Sequence, residues 1–152
     1  MTDPRRVAIV VHAVFPGDPR VRRQSDALVD AGYEVDIFAL RQAGEAAEDR
    51  ENGLRIVRLP VNRAFVGFAG HLAEYVAFTA MASWKLAREH RRRRYDLVQV
   101  ATVPDFLGFA ALPEKLGGVP LLLDLHEDMP EFFRDRFTHR LLRPLHPVVG
   151  AI

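Results

Sequence analysis

The chain contains no cysteine, which rules out a disulfide framework and any thiolate metal site. Lysine is nearly missing too: Lys85 and Lys115 stand alone, and arginine carries almost all of the positive charge. Neither sign of charge is in excess, since 21 Lys+Arg against 20 Asp+Glu leave a net charge of +1. Bulk attraction to nucleic acid is therefore not expected. A long uncharged apolar run is also lacking. The best candidate, residues 64–86, is interrupted by His71, Glu74 and Lys85. A charge in mid-span costs roughly 2–3 kcal/mol in hydrocarbon, which argues against a transmembrane helix. The opening Met-Thr-Asp-Pro-Arg-Arg enters a strand at once and has no signal-peptide pattern. A cytoplasmic protein is the expectation.

What is present is enough for one good core: 152 residues, 49% of them hydrophobic, read most simply as one domain. Residues 6–12 (Arg-Val-Ala-Ile-Val-Val-His) read as a buried strand. Asp18-Pro19 then announces a helix, with aspartate as N-cap and proline at the first helical position. Val21, Leu28 and Val29 recur at helical spacing, and Gly32 supplies the stop. Residues 33–40 form the second strand and complete a βαβ unit. Residues 41–52 are polar and acidic, which suits a mobile loop or a frayed helical turn. Residues 54–59 read as a strand nearer an edge, ended by Pro60. A long helix over roughly 72–93 and a strand over 96–100 follow. Asp105 looks like a second N-cap, and Pro113 should kink or divide the helix over 106–116. The aliphatic run 119–123 reads as a buried parallel strand. This pattern predicts an α/β fold: a doubly wound, Rossmann-like, mostly parallel sheet of about five strands with helices on both faces.

The most informative stretch is Asp124-Leu-His-Glu-Asp-Met-Pro-Glu131, directly after that last strand. Ligands of open α/β sheets bind outside the carboxyl ends of the strands. A histidine and four carboxylates are thus packed where chemistry is expected. His126 can relay a proton or hydrogen-bond a hydroxyl near neutral pH, with Glu127, Asp128 and Glu131 beside it. His12 ends the first strand at the same edge. The loop Phe15-Pro16-Gly17 leads into a helix N-terminus, which attracts anions. Arg20, Arg22 and Arg23 run against the helix dipole there, which suits either a bound phosphate or carboxylate or a solvated arginine face. Asp105 caps its helix and has room for a second role in holding ligand. A metal site from His12, His126 and a carboxylate is disfavoured, because consecutive residues rarely ligate one ion together. Phe65, Phe68, Tyr75, Phe78 and Trp84 read as a helix buried against the sheet. Docking of this segment and Arg91–Arg94 on an anionic bilayer, or contact with another domain, are the readings left open.

Taken in order, Phe15-Pro-Gly-Asp-Pro-Arg-Val-Arg-Arg-Gln24, Ala31-Gly-Tyr-Glu-Val-Asp36 and the Asp124-Leu-His-Glu cluster resemble the N-terminal domain of a GT-B glycosyltransferase. The nearest group is family 4, the retaining sugar-nucleotide transferases. The resemblance implies two Rossmann-like domains with the active site between them. Residues 1–152 would be the N-terminal, acceptor-side domain, cut before its last strand, and the nucleotide-sugar domain would lie outside the chain. It implies that His126 contacts the donor sugar near the reacting carbon. Gly17 and Arg20 would face phosphate or acceptor, and Glu127, Asp128 and Asp105 would orient acceptor hydroxyls. Many members have two adjacent glycines in the first loop, where this chain has Gly17 only. No cofactor is implied beyond the nucleotide-diphosphate sugar donor, and the acceptor would be a small molecule or lipid-linked. The isolated chain should be inactive. The implied strand order, 3-2-1-4-5, leaves residues 121–125 at an apolar edge that invites a second copy. Peripheral contact with the inner face of the membrane is a further partner expectation.

Two rivals come from other classes. A flavodoxin-like or receiver-type binding module would want an acidic cluster after its first strand, where this chain has His12. A non-catalytic membrane or protein adaptor would work through residues 65–94.

Overall fold

A computed structural model of the chain describes residues 4–61, 67–102 and 105–125. Six strands form one sheet: β1 (Arg6–Val14), β2 (Glu34–Leu40), β3 (Glu48–Glu51), β4 (Leu54–Leu59), β5 (Leu97–Thr102) and β6 (Leu121–Leu125). Their order is β3-β4-β2-β1-β5-β6, parallel throughout except for the antiparallel β3–β4 pair. Helix α1 (Pro19–Asp30) links β1 to β2, and α2 (Gly67–Arg93) lies between β4 and β5. A 3-10 helix (Asp105–Ala111) and α3 (Leu112–Leu116) lie between β5 and β6, so the expected helix is divided one residue before Pro113. The implied order holds, with one strand added at its far end.

The added strand corrects the expectation of a loop over 41–52. Glu48-Asp49-Arg50-Glu51 is exposed at every position, so no alternation betrays it. Its signal lies in the turn instead. Asn52 and Gly53 have φ values of 49° and 82°, the left-handed pair that a tight hairpin requires and that Asn-Gly supplies at low strain.

Strand parity sorts the core into two layers. Val7, Ile9 and Val11 of β1 pack with Ile37, Ile56 and α1's Val21 on one face. Ala8 and Val10 pack with Phe38, Val57 and α2's Phe78, Ala82 and Leu86 on the other. Helix α1 ends as its sequence demands: Gly32, at φ 87°, donates to the Val29 carbonyl at 2.9 Å, and Tyr33 donates to that of Leu28 at 3.0 Å. That is the Schellman arrangement. The run 119–123 was expected to form a buried strand. It is shifted and only partly covered: β6 spans Leu121–Leu125, and Leu122, Leu123 and Leu125 are 49%, 46% and 69% exposed. An aliphatic run does not reveal whether both its faces are covered, and among the described residues β6 pairs with β5 alone.

At the amino edge of the sheet a buried charge network locks α2 in place. Asp36, 2% exposed, accepts hydrogen bonds from Tyr95 Oη at 2.6 Å and Arg55 Nη1 at 2.9 Å, and pairs with Arg93 Nε at 3.1 Å. Arg55 also donates to Glu89 and Glu48, both at 2.9 Å, and Lys85 joins Glu48 at 3.1 Å. Burial works against the Arg55 charge, but Glu48, Glu89 and Asp36 more than offset it and hold the guanidinium far above its usual pKa. Burial, then the Asp36 charge, drives the Tyr95 phenol well up, so it remains a donor. The arginine-rich end of α2 is therefore not a uniformly solvated face: Arg93 turns inward, while Arg91, Arg92 and Arg94 are exposed. Replacing Arg55 by methionine should leave Asp36 and Glu89 short of a buried counter-charge and cost about 3–5 kcal/mol. Urea unfolding measures it, and a loss below 1 kcal/mol would mean that the network is slack.

Candidate functional site

The sheet order places β1 and β5 side by side. The chain leaves β1 into α1 on one face and leaves β5 into the 3-10 helix on the other. This is a topological switch point, and the crevice outside the carboxyl ends of the two strands is the natural ligand site.

The β1 loop is tightly made. A cis peptide joins Phe15 to Pro16, and the buried Phe15 ring lies in the α1-side core. The Gly17 amide donates to the Val14 carbonyl at 2.7 Å. A Cβ on Gly17 would fall 2.7 Å from that same oxygen, closer than any side chain tolerates without moving the backbone. Gly17 is therefore required by the turn itself, and its N–H is engaged within the loop.

Asp18 caps α1 as expected, accepting from the Arg20 amide at 2.9 Å. Partial burial raises the carboxyl's pKa, but hydrogen bonds from the Arg20 amide and side chain prevail and hold it below the ordinary value. The helix end that could attract an anion thus already holds one. The three arginines are sorted by the same geometry. Arg22 pairs with Asp26 and Glu51, each at 2.9 Å, and lies 5.8 Å above the Phe15 ring. Arg23 is exposed. Arg20 folds back on Asp18 through long contacts of 3.4 Å with its side chain 49% exposed, so it is free to turn toward a ligand.

Across the crevice, a polar chain ties the end of β6 to α1. Gln24 Nε2 donates to Asp124 Oδ2 at 2.8 Å, and Gln99 Nε2 donates to Gln24 Oε1 at 2.7 Å and to Asp124 Oδ2 at 3.4 Å. Gln99 is 4% exposed, so this amide is bound to the site's frame. The sequence reading did not single out Gln24 and Gln99. They meet Asp124 across 100 and 25 positions of chain, which no local pattern encodes. Asp124 comes two residues before His126, so the contact fixes where the chain leaves the sheet. His126, Glu127 and Asp128 themselves lie outside the described residues. Asp105 opens the 3-10 helix by its backbone, and its side chain lies outside the described set.

His12 departs from expectation. Strand β1 continues to Val14, and even parity turns His12 toward α2 and away from the α1 side. There its ring is packed edge-on by Tyr75 and Phe78, with centroids 4.6 and 4.8 Å away. Its Nε2 lies 3.4 Å from Glu74 Oε1. The glutamate that interrupts the apolar run 64–86 is thus buried against a histidine. Among the described residues, no three His, Asp or Glu side chains are placed to hold a metal ion.

Comparison with known proteins now bears on these features. A family model described as a glycosyl transferase 4-like domain matches residues 17–150. No curated protein matches by sequence. In structure the chain is similar to a sucrose-phosphate synthase from Thermosynechococcus elongatus, with TM-score 0.66 and 13% identity. That match covers 96% of this chain and 39% of the synthase. The glycotransferase of kitacinnamycin is similar at TM-score 0.62 and 17% identity, over 99% of this chain and 36% of that one. The C-terminal domain of a Pyrococcus furiosus hydrogenase also shares the fold, at TM-score 0.58 and 18% identity, over 80% of this chain and 91% of that one. Identities this low speak for the fold alone.

Two variants probe the β1 loop. Gly17→Ala should cost about 1–3 kcal/mol through overpacking against the Val14 carbonyl, read as a lower urea midpoint; an unchanged midpoint would show that the turn can relax. Asp18→Ala should cost about 1 kcal/mol at neutral pH. Because folding depresses the Asp18 pKa, its contribution is complete above the unfolded value of 3.8. It fades as pH falls through the lower folded value. The gap between wild type and variant should therefore narrow only in that acid window. A gap that already narrows between pH 7 and 5 would contradict this cap.

Proposed function

Because the chain belongs to the glycosyl transferase 4-like family, we propose that it is the N-terminal, acceptor-side half of a GT-B glycosyltransferase. The whole enzyme moves a sugar from a nucleotide-diphosphate donor to a hydroxyl acceptor with retention of configuration. The observation that supports this best is the family match over residues 17–150, which takes in both the first loop and the acidic motif after β6. The similar synthase and glycotransferase are each more than twice as long as the matched segment, in keeping with a second half that binds the nucleotide.

In this reading the described frame positions and the loops contact. The Gln24–Asp124 bond sets the exit of β6, and His126 beyond it contacts the donor sugar near the reacting carbon. The α1 N-terminus is already neutralised by Asp18, and the Gly17 amide is engaged. That loop therefore suits a neutral acceptor hydroxyl better than a diphosphate, with Arg20 as the adjustable donor. Glu127, Asp128 and Asp105 accept hydrogen bonds from the acceptor. Catalysis rests on orientation and on stabilising the departing diphosphate, mainly by groups of the other half. No further cofactor enters the scheme.

The test uses the full-length protein with a panel of nucleotide-diphosphate sugars, following nucleoside diphosphate release and sugar transfer. Turnover with at least one donor is expected, and His126→Ala should lower kcat by about 10²–10³ with little change in unfolding midpoint. Absence of both transfer and donor hydrolysis across the panel, or an unaltered kcat in the variant, would overturn the assignment.

A further inference from the structure

We propose that the outer face of α2 is a docking surface for an anionic lipid bilayer. The inward face of this helix is fully used, with Phe78, Ala82 and Leu86 all 0% exposed. A surface helix then ordinarily turns polar residues to water. Helix α2 does the reverse. Its outward ridge, read every fourth residue, runs Leu72, Val76, Ala80, Trp84, Arg88 and Arg92, all exposed. Val76 is 53% and Trp84 61% exposed. Exposed rings and aliphatic groups aligned over three turns form a contiguous patch, the sort of surface that marks an interaction site.

The charge on this face selects the partner. Glu74 and Glu89 are the only acids of α2, and both are buried, at 4% and 5% exposure. The first faces His12 and the second Arg55 and Lys85. Arg88, Arg91 and Arg92 stay outside, with no carboxylate on the exposed face of the helix. The surface is thus apolar at one end and purely cationic at the other. Trp84 sits at the junction, with the Arg88 guanidinium 5.5 Å from its ring centre. An apolar ridge, an indole at the boundary and arginines beyond it match acyl chains, interface and anionic headgroups in sequence. A globular protein partner would call for a polar rim of mixed sign around the apolar patch. Beside Trp84 a groove of about 610 Å³, walled by Val57, Leu59 and Met81, continues the apolar surface onto the sheet. No described helix is long and apolar enough to cross a membrane, so the contact is peripheral. The proposal does not depend on which reaction the protein performs.

Trp84 is the only tryptophan and reports directly on the contact. The chain is mixed with vesicles of phosphatidylcholine, with or without half phosphatidylglycerol, and followed by flotation and tryptophan emission. Flotation and a blue shift are expected with the anionic vesicles only, and both should weaken in high salt. The R88Q/R91Q/R92Q variant, altered only at exposed positions, should bind about a hundredfold more weakly, near fivefold per arginine. Val76→Asp should abolish the blue shift. Unchanged emission with anionic vesicles, equal binding to neutral ones, or undiminished binding of the triple variant would each overturn the proposal. So would a lipid-free, concentration-dependent blue shift with dimer formation, which would assign the face to a second copy of the chain.

Discussion

A carboxylate as deeply buried as Asp36 survives only if its charge is met on every open side, since an unpaired ion in a protein interior is prohibitive. Its partners come from β4, from the end of α2 and from the entry to β5. Satisfying one group thus fixes three elements relative to β2. The helix that leaves this anchor is 27 residues long, roughly 40 Å, and reaches back over the sheet toward its carboxyl edge. There a second buried carboxylate, Glu74, meets His12 of β1. Helix α2 is therefore held by charge at both ends and by Phe78, Ala82 and Leu86 between them.

The opposite face is tied by neutral amides and one carboxylate. Gln24 and Gln99 converge on Asp124, so α1, β5 and β6 cannot shift independently near the crevice. The two modes of attachment divide the labour. The amino edge carries the dense ion network and sets stability, whereas the carboxyl edge has one tight glycine turn and strand ends whose loops supply the reactive groups. Function on such a frame resides in loops, where exchange of a side chain leaves the core intact.

Local chemistry was legible in the sequence and long-range geometry was not. Asp18-Pro19 and Gly32 announce the ends of α1 because caps act over three or four residues. Strands β1, β2, β4 and β5 show themselves by aliphatic content. Strand β3 is all charge, and only Asn52-Gly53 gives it away. Strand parity separates residues 7, 9 and 11 from 8, 10 and 12, but parity alone does not say which set faces which helix. His12 therefore read as a site residue and proved to be packed under α2. The aromatics of α2 read as core because their types are apolar. Phe78 is core, and Trp84 is on the outside. Composition cannot distinguish the two when both faces of a helix are greasy. Of the site residues, Gly17 is explained down to one carbonyl contact, Arg20 is placed, and Asp105 is placed by its backbone. His126, Glu127 and Asp128 stand beyond the described residues.

The two margins of the sheet are chemically unlike. At one, β3 presents Glu48, Asp49, Arg50 and Glu51, all exposed, and like-charged side chains repel an incoming backbone. At the other, β6 presents leucines. Sheet growth is consequently polar: a strand supplied by this polypeptide or by a neighbour is turned away at β3 and accepted at β6, so the fold extends in one direction only.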